Sequence, residues 1–276
     1  MGLFKPAITI ILTLVFIQNA TAQLGFTALG SRAQAMGNAS VALEDNFSPF
    51  NNIGATSAIE HFTAIASFEN RFAFAPFQHF GAGVIYPAKF GVLSFTAQKV
   101  GADLYNEQNY GVGFSNKIGM ISLGIQINYT QFFIQDTGSK GVPSIAFGGV
   151  AEILPSLSFG AHVYNITQSK LSKENELYLP VILKSGISYK AIEVLTFCLE
   201  AEKDLDKEVR IKGGLEYQFL KKFSLRSGIS SAPFQHHFGL GFTPFNFSLD
   251  YALTTHSELG MIHQMSIAYV LKNNEN

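Results

Sequence analysis

The side chains that could perform covalent chemistry in this sequence are its serines, histidines and carboxylates. A hydrolytic triad needs a Ser, a His and a carboxylate that converge, and many hydrolases hold the Ser on a sharp strand-to-helix turn. Here the serines occur in ordinary strand and turn contexts. The sequence therefore predicts no catalytic residue and no enzymatic activity.

Four histidines form a second candidate group, as the pair His236 and His237 and, further on, His256 with His263. Metal sites in proteins usually need several ligands in a defined geometry. Because these histidines are not accompanied by further ligands at a suitable spacing, we interpret them as loop and rim residues. We expect no metal ion and no other cofactor.

Paired glycines, such as Gly111 with Gly113, could be mistaken for phosphate-binding loops. Such loops lie between a strand and a helix, whereas these glycines follow the alternation of strand residues. Inside a barrel they would leave room in the lumen or ease strand bending. The single cysteine, Cys198, excludes an intramolecular disulfide, and we expect it on a polar strand face as an unreactive side chain.

Eight charged residues in the second half of the chain share the polar face of successive predicted strands. Charges of opposite sign on adjacent strands can pair across a barrel lumen, whereas a Lys or Arg that faces lipid costs roughly 2–4 kcal/mol at the bilayer midplane. We therefore expect a structural charge network in the lumen, with a selectivity filter as the alternative. Its members are Lys184, Glu200, Glu202, Arg210, Lys212, Glu216, Arg226 and Asp250.

The elements that position these residues are strands, because apolar and polar residues alternate after residue 60. From Ser122 to Thr130, for example, Leu123, Ile125 and Ile127 share one face, and polar or small residues share the other. About fourteen such segments follow one another, an even number as in single-chain bacterial barrels. They lie near residues 61–69, 79–87, 91–99, 108–117, 120–132, 144–153, 157–166, 181–190, 194–204, 208–219, 222–230, 236–243, 245–254 and 263–271.

The connections between the predicted strands alternate between short and long. Tight turns are expected near residues 88–90, 117–119, 154–156, 191–193, 220–222 and 243–244, and longer loops at 70–78, 101–107, 133–143, 167–179 and 255–262. Outer-membrane barrels have short periplasmic turns and longer outside loops, and a closed barrel leaves no unpaired strand edge in lipid. The sequence therefore predicts an all-β, transmembrane antiparallel β-barrel with both chain ends in the periplasm.

The composition agrees with a protein that faces lipid. Charged residues make up 14% of the chain, below the roughly 25% usual for soluble domains. The formal net charge is −1, and the sequence lacks the basic patch that nucleic-acid binding usually needs. We therefore expect outer-membrane lipids, and no nucleic acid, as partners.

The N-terminal part of the sequence does not follow the strand pattern. Its first 22 residues combine Lys5, an apolar stretch from Ala7 to Ile17 and the small residues Ala20 and Ala22, which is typical of a cleaved signal peptide. Residues 23–59 are rich in Ala, Gly, Ser and Asn. We expect a signal peptide at 1–22, a lumen plug or periplasmic rim segment at 23–59, the barrel at 60–272 and a periplasmic tail at 273–276.

A resemblance to a known family lies between Gly30 and Asp45. This stretch, GSRAQAMGNASVALED, resembles the N-terminal signature of the PorV/PorQ family, which belongs with the FadL-like outer-membrane barrels. The family signature continues with Asn-Pro-Ala, whereas Asn52 is followed here by Ile53, Gly54 and Ala55. The matching positions are Gly30, Arg32, Ala33, Met36, Gly37, Asp45 and Asn52.

Shorter matches with the same family follow at residues 186–190, 213–217 and 238–242. The resemblance implies a fourteen-stranded barrel of the FadL type. It also implies two kinds of role: accessory subunits of the type IX secretion machinery, and passage of hydrophobic small molecules through the barrel wall.

The predicted outside loop at 70–78 is unusually aromatic, since it contains Phe72, Phe74 and Phe77. Exposed apolar patches often mark contacts with a partner or a ligand. A lid that folds onto its own barrel is the alternative.

These observations lead to one expected function and one alternative. We expect a bacterial outer-membrane protein that acts as a non-enzymatic accessory or interaction subunit, in type IX secretion or surface-protein handling. Its partner would be a protein in the outer membrane or the periplasm. The alternative is a transporter of hydrophobic small molecules, with a hydrophobic ligand in place of the protein partner.

Overall fold

The structure is a computed structural model that describes residues 28–74, 78–172, 177–256 and 258–272. The predicted signal peptide at 1–22, the start of the predicted plug or rim segment at 23–27, Phe77 and the predicted tail at 273–276 lie outside the described residues.

Fourteen strands form a closed antiparallel barrel, which confirms the predicted fold class. A further short pair, β8 (Lys170–Ser172) and β9 (Leu177–Tyr178), forms a separate two-stranded sheet that the sequence analysis missed. The barrel strands are β1 (Phe62–Arg71), β2 (Gln78–Ala88), β3 (Gly91–Gly101), β4 (Tyr105–Ile118), β5 (Ile121–Ile134), β6 (Gly138–Leu154), β7 (Leu157–Tyr164), β10 (Ile182–Ile192), β11 (Leu195–Asp204), β12 (Arg210–Leu220), β13 (Phe223–Ser230), β14 (Gln235–Phe242), β15 (Phe247–His256) and β16 (Gly260–Leu271).

Each barrel strand pairs with its neighbours in the chain, and β7 pairs directly with β10. The barrel closes where β1 pairs with β16, so that Phe62 lies opposite Leu271. Because the sheet is closed, none of its strands is left with an unpaired edge, as a membrane-spanning sheet requires.

Polar and apolar residues alternate between the two faces of the wall as predicted. In β5, Ile125 and Ile127 are exposed on the outer face, whereas Gln126 and Asn128 are buried in the lumen. A register shift of one residue would exchange the two faces, so this pattern fixes the strand register. The apolar outer face matches a lipid environment.

The two ends of the barrel differ in their connections. At one end, here called the turn end, most connections are two-residue turns, such as Gly119–Met120 between β4 and β5. Gly119 has a φ of +61°, the left-handed conformation that tight hairpins favour. We call the opposite end, with the longer connections, the loop end.

Several predicted loops at the loop end are shorter than expected. Strands β5 and β6 extend into the predicted loop 133–143, and only residues 135–137 connect them; Phe133 still pairs with Ser139. Likewise, β4 begins at Tyr105, within the predicted loop 101–107. At this end the strands remain paired beyond the segment in which one face is apolar. The alternation of apolar and polar residues therefore could not reveal where these strands end.

Residues 28–59 occupy the lumen, and we call this segment the plug. It contains α1 (Ser31–Ala35), α2 (Ser48–Asn51) and a 3-10 helix (Ile53–Ala58). Most residues from 28 to 56 are buried, so the segment lies inside the barrel and not against its rim. None of the helices in the described part of the chain has the length and apolar character needed to cross a membrane.

Candidate functional site

Glycines on the lumen face of the wall are the contact points of the plug. A Cβ atom at Gly124 would lie 2.8 Å from the backbone of Ile53, and one at Gly228 would lie 2.2 Å from the amide nitrogen of Gly37. At Gly113 a Cβ atom would lie 2.4 Å from the Ile53 side chain. At Gly113 and Gly124, the space that we expected glycines to leave in the lumen is therefore filled by the plug.

Five of the eight predicted lumen charges form one group, here called the lysine cluster. Nζ of Lys212 lies 2.8 Å from Oε1 of Glu200 and 2.7 Å from Oε2 of Glu202. Lys184 and Arg210 also contact the Glu202 carboxylate, at 3.7 and 3.6 Å. The Lys212 side chain is only 2% exposed, and a charge this deeply buried is tolerable only with such partners.

Glu200 links the lysine cluster to the plug. Its Oε2 accepts hydrogen bonds from the backbone amides of Ser40 and Val41, each at 2.7 Å, while its Oε1 accepts one from Lys212. Hydrogen bonds to a charged acceptor are stronger than those between neutral groups. The cluster thus holds the plug as well as joining strands of the wall.

The other three predicted charges belong to a second group, the arginine cluster, together with two plug residues. Arg226 lies 2.5 Å from Oε2 of Glu216 and 2.5 Å from Oδ1 of Asp250. Arg32 of the plug lies 2.6 Å from Oε1 of Glu216 and 3.5 Å from Oδ2 of Asp45. Burial raises the pKa of Asp45, and the positive charge of Arg32 opposes this shift.

The motif that resembles the PorV/PorQ signature shapes the plug. Gly30 and Gly37, with φ values of +99° and +71°, lie just before and just after α1, where left-handed residues suit glycine. Ala33 and Met36 are buried, and Met36 packs against Cys198 of the wall. The lone cysteine is therefore covered by the plug.

Asn52 joins the plug to the wall at the position where the motif departs from the family. Its side-chain oxygen accepts a hydrogen bond from the Gly54 amide at 3.1 Å, which caps the 3-10 helix. Its side-chain nitrogen donates to the carbonyl oxygens of Val41 at 2.6 Å and Gly149 at 3.0 Å. Asn52 thus anchors the plug to β6 without the proline of the family pattern.

A cavity, which we call the upper cavity, lies between the plug and the loop end. Phe50 of the plug contributes to its lining, together with Phe132, Leu179 and Ile182. About 60 Å³ of it can hold the centre of a water molecule, several times the roughly 10–15 Å³ that one water needs. Leu179 packs against Phe132, so the connection between β7 and β10 folds over the cavity.

Amide and hydroxyl groups form much of the remaining lining. Asn109 donates to the Thr130 hydroxyl at 2.8 Å, and Gln126 donates to the Thr96 hydroxyl at 3.1 Å. Two polar atoms of the lining, Nδ2 of Asn128 and Nδ1 of His162, are buried without a hydrogen-bond partner in the described part of the chain. The upper cavity therefore combines an apolar surface with many polar groups, among them the charged residues Glu107 and Lys184.

The aromatic loop divides into a packed and an exposed part. The Phe72 ring meets the His256 ring edge to face at 5.7 Å, and the Phe72 amide donates to the Met261 carbonyl at 2.9 Å. Phe74 is 52% exposed. Phe72 thus packs on its own barrel, as in the lid alternative, whereas about half of the Phe74 side chain is exposed.

The histidines do not form a metal centre. Within the described ranges, no group of three or more His, Cys, Asp or Glu residues could hold a metal ion. The interpretation of His237 as a loop or rim residue is wrong, because β14 begins at Gln235 and alternation directs His237 into the lumen. There it lies 3.1 Å from the Ser230 hydroxyl and 2.8 Å from the Thr254 hydroxyl.

Sequence reasoning missed a polar group around Glu69. This carboxylate pairs with Arg71 and accepts hydrogen bonds from Gln34 of the plug at 3.2 Å and from Gln264 of β16 at 3.4 Å. The alternation of β1, in which Ser67 also faces the lumen, could have placed Glu69 inside. Gln34 and Gln264 are 35 and 195 residues away from Glu69, so these two contacts left no local signal.

Comparison with known proteins gives matches among solved structures only. No protein-family model and no curated protein matches the sequence. The CymD monoaromatic hydrocarbon channel has a TM-score of 0.71 at 10% identity and covers 90% of this chain and 100% of its own. The toluene transporter TodX of P. putida has a TM-score of 0.69 at 9% identity, with 91% and 100% covered. The toluene transporter TbuX of Ralstonia pickettii has a TM-score of 0.67 at 11% identity, with 91% and 100% covered.

This chain has the FadL-like outer-membrane barrel fold. The same comparisons contradict the expected role as an accessory subunit of type IX secretion or surface-protein handling, because these neighbours are a hydrocarbon channel and toluene transporters. They also do not support the PorV/PorQ family in particular. The physical reason is that the motif residues build the plug, which is a feature of the FadL-like fold of this chain and does not specify a partner.

Proposed function

We propose that this protein is an outer-membrane transporter of small hydrophobic molecules and that the upper cavity is its ligand-binding site. The observation that carries the proposal is the apolar lining by Phe50, Phe132, Leu179 and Ile182, directly above a lumen that the plug fills. A plugged lumen with a partly apolar cavity suits selective binding better than free diffusion through a water-filled pore. The fold shared with a hydrocarbon channel and with toluene transporters supports the same conclusion.

The orientation is part of this proposal. The turn end would face the periplasm, together with both chain ends, and the loop end would face outside, because outer-membrane barrels place their short turns in the periplasm. A tag inserted after Gly138 should then be labelled on intact cells, whereas a tag after Asn276 should require permeabilised cells. Labelling in the reverse order would contradict the proposed orientation.

The binding site can be tested with two alanines on neighbouring strands. Ala146 lines the upper cavity and is buried, whereas Ala161 is exposed on the outer face of β7. Ala146→Phe should fill the cavity and reduce uptake of labelled toluene to the level of cells without the protein. Ala161→Phe should leave uptake unchanged, because an apolar side chain there faces lipid.

Both variants are first checked for heat-modifiable migration in detergent, which reports a folded barrel. The proposal is wrong if wild-type protein gives no uptake above background, or if Ala146→Phe transports as well as Ala161→Phe.

A further inference from the structure

An apolar groove crosses the outer face of the barrel on β13 to β16 and β1. Its floor is one line of residues that are neighbours in the strand register: Ser224, Gly241, Asp250, Ser266 and Ser67. Four of these residues carry side chains, which belong to the lumen face, and Gly241 has none. The groove floor is therefore backbone, below the level of the surrounding side chains.

The residues on either side of the floor line form two apolar walls. The wall nearer the turn end consists of Phe223, Phe242, Leu249, Ile267 and Ala66. The opposite wall includes Leu240, Tyr251, Met265 and Phe68. The groove has a volume of about 690 Å³, within the range of roughly 300–1,000 Å³ for small-molecule sites.

The length and direction of the groove fit one lipid chain. Five floor residues on adjacent strands span about 19 Å at a strand spacing of about 4.8 Å. Because barrel strands tilt by roughly 35–45°, a line at right angles to them crosses the membrane obliquely. One leaflet contributes about 15 Å of hydrocarbon, so the groove can follow an acyl chain through most of one leaflet.

Two lysines lie where the groove meets the turn end. Lys221 and Lys222 form the turn between β12 and β13, and Nζ of Lys222 lies 5.2 Å from the centroid of the Phe245 ring. Over the described residues, no carboxylate lies within 4.0 Å of either ammonium group. Near the turn end of β4 and β6, by contrast, Lys117 pairs with Glu152 at 3.4 Å. The groove thus ends at two positive charges that have no ionic partner among the described residues.

We propose that this groove binds an anionic phospholipid from the leaflet at the turn end. Its phosphate lies at Lys221 and Lys222, because Lys is a common point-charge ligand of phosphate, and one acyl chain follows the groove floor. A second copy of the chain fits less well, since a two-fold contact through this groove would bring the same surface, with the same lysines, to both sides. The site is separate from the upper cavity and does not depend on the transported molecule.

The test uses native mass spectrometry of the full-length protein in detergent, after incubation with equal amounts of phosphatidylglycerol and phosphatidylethanolamine. Wild-type protein should retain one molecule of phosphatidylglycerol in preference to phosphatidylethanolamine. In the double variant Lys221→Gln, Lys222→Gln the two lipids should be retained equally. Its matched control, Lys89→Gln with Lys190→Gln, changes two exposed lysines near other turns and should keep the wild-type preference.

A second pair of variants tests the groove itself. Ala66→Phe should fill the groove and remove the retained lipid, whereas Ala64→Phe lies two residues away on the same face of β1, outside the groove, and should retain it. The lysine variants lie in a turn and test the proposal even if Ala66→Phe fails to fold. Equal retention of both lipids by wild-type protein, equal effects of the two lysine pairs, or a dimer that Ala66→Phe dissociates would overturn the proposal.

Discussion

The two halves of the barrel wall line the lumen with different chemistry. Strands β3 to β7 present mainly neutral groups to the upper cavity, such as Gln126 and Asn128, whereas β10 to β15 carry the lysine and arginine clusters. Both halves touch the plug, but on the charged side Glu216 pairs with Arg32 of the plug and Glu200 accepts hydrogen bonds from plug amides. The charged side thus fixes the plug, and it also reaches the upper cavity, because Lys184 of the lysine cluster is part of the cavity lining.

The largest effect on the free energy of unfolding is expected when the buried positive charge of Lys212, on the charged side of the wall, is removed. Lys212→Met would leave Glu200 and Glu202 buried without their main partner, which should lower the free energy of unfolding by about 3–5 kcal/mol. Urea unfolding of the protein in lipid vesicles measures this change. Lys117→Met removes a half-exposed ion pair with Glu152 and should cost about 0–1 kcal/mol. Equal losses in the two variants would show that the lysine cluster contributes no more than a surface pair.

A smaller effect is expected where the plug backbone meets the wall at Gly228. Gly228→Ala places a Cβ atom 2.2 Å from the amide nitrogen of Gly37, whereas the nearest atom at Gly213 is 3.9 Å away. Overpacking of about 1–3 kcal/mol should shift the plug and expose Cys198, which Met36 covers. Maleimide labelling of Cys198 should accelerate about tenfold or more in Gly228→Ala. Labelling of Gly213→Ala should match wild type, and identical rates in both variants would rule out this role of Gly228.

The smallest effect is expected on the neutral side, at the two asparagines of the upper cavity. Asn109→Leu removes donors to Thr130 and Tyr164 and should cost about 1 kcal/mol. Asn128→Leu removes a buried donor that lacks a partner in the described part of the chain, so its effect on unfolding should be near zero or stabilising. Urea unfolding of both variants shows which of them loses more free energy of unfolding. A larger loss in Asn128→Leu than in Asn109→Leu would mean that Asn128 stabilises the wall more than its contacts suggest.

The alternation of apolar and polar residues was sufficient to predict the barrel. Lipid on the outer face and packed groups in the lumen impose this period of two on every strand. It placed Lys212 and Glu200 on the lumen face correctly, but it could not give their partners, which depend on register. It failed at the loop end of β4 to β6, where strands continue beyond the apolar band. Arg32 and Glu216 are 184 residues apart, so no local pattern could reveal their contact.

The functional error has a related cause. The motif at residues 30–45 was informative about the plug, yet the cavity beside it is assembled from β3 to β7, from β10, from Phe50 and from the connection that carries Leu179. No single stretch of sequence contains that arrangement. The accessory role was therefore inferred from the plug segment, which contributes only part of the lining.

The pairing of β1 with β16 has a consequence for how the barrel is assembled. These strands are the first and last of the wall, so the seam joins residues separated by nearly the whole barrel, which makes its closure entropically costly and slow. The plug immediately precedes β1, and the amide of Ser31 donates to the hydroxyl of Ser266 on β16 at 3.0 Å. Because the plug and β1 are consecutive in the chain and the plug contacts β16, the seam can close only around the plug, whose surface the first and last strands share.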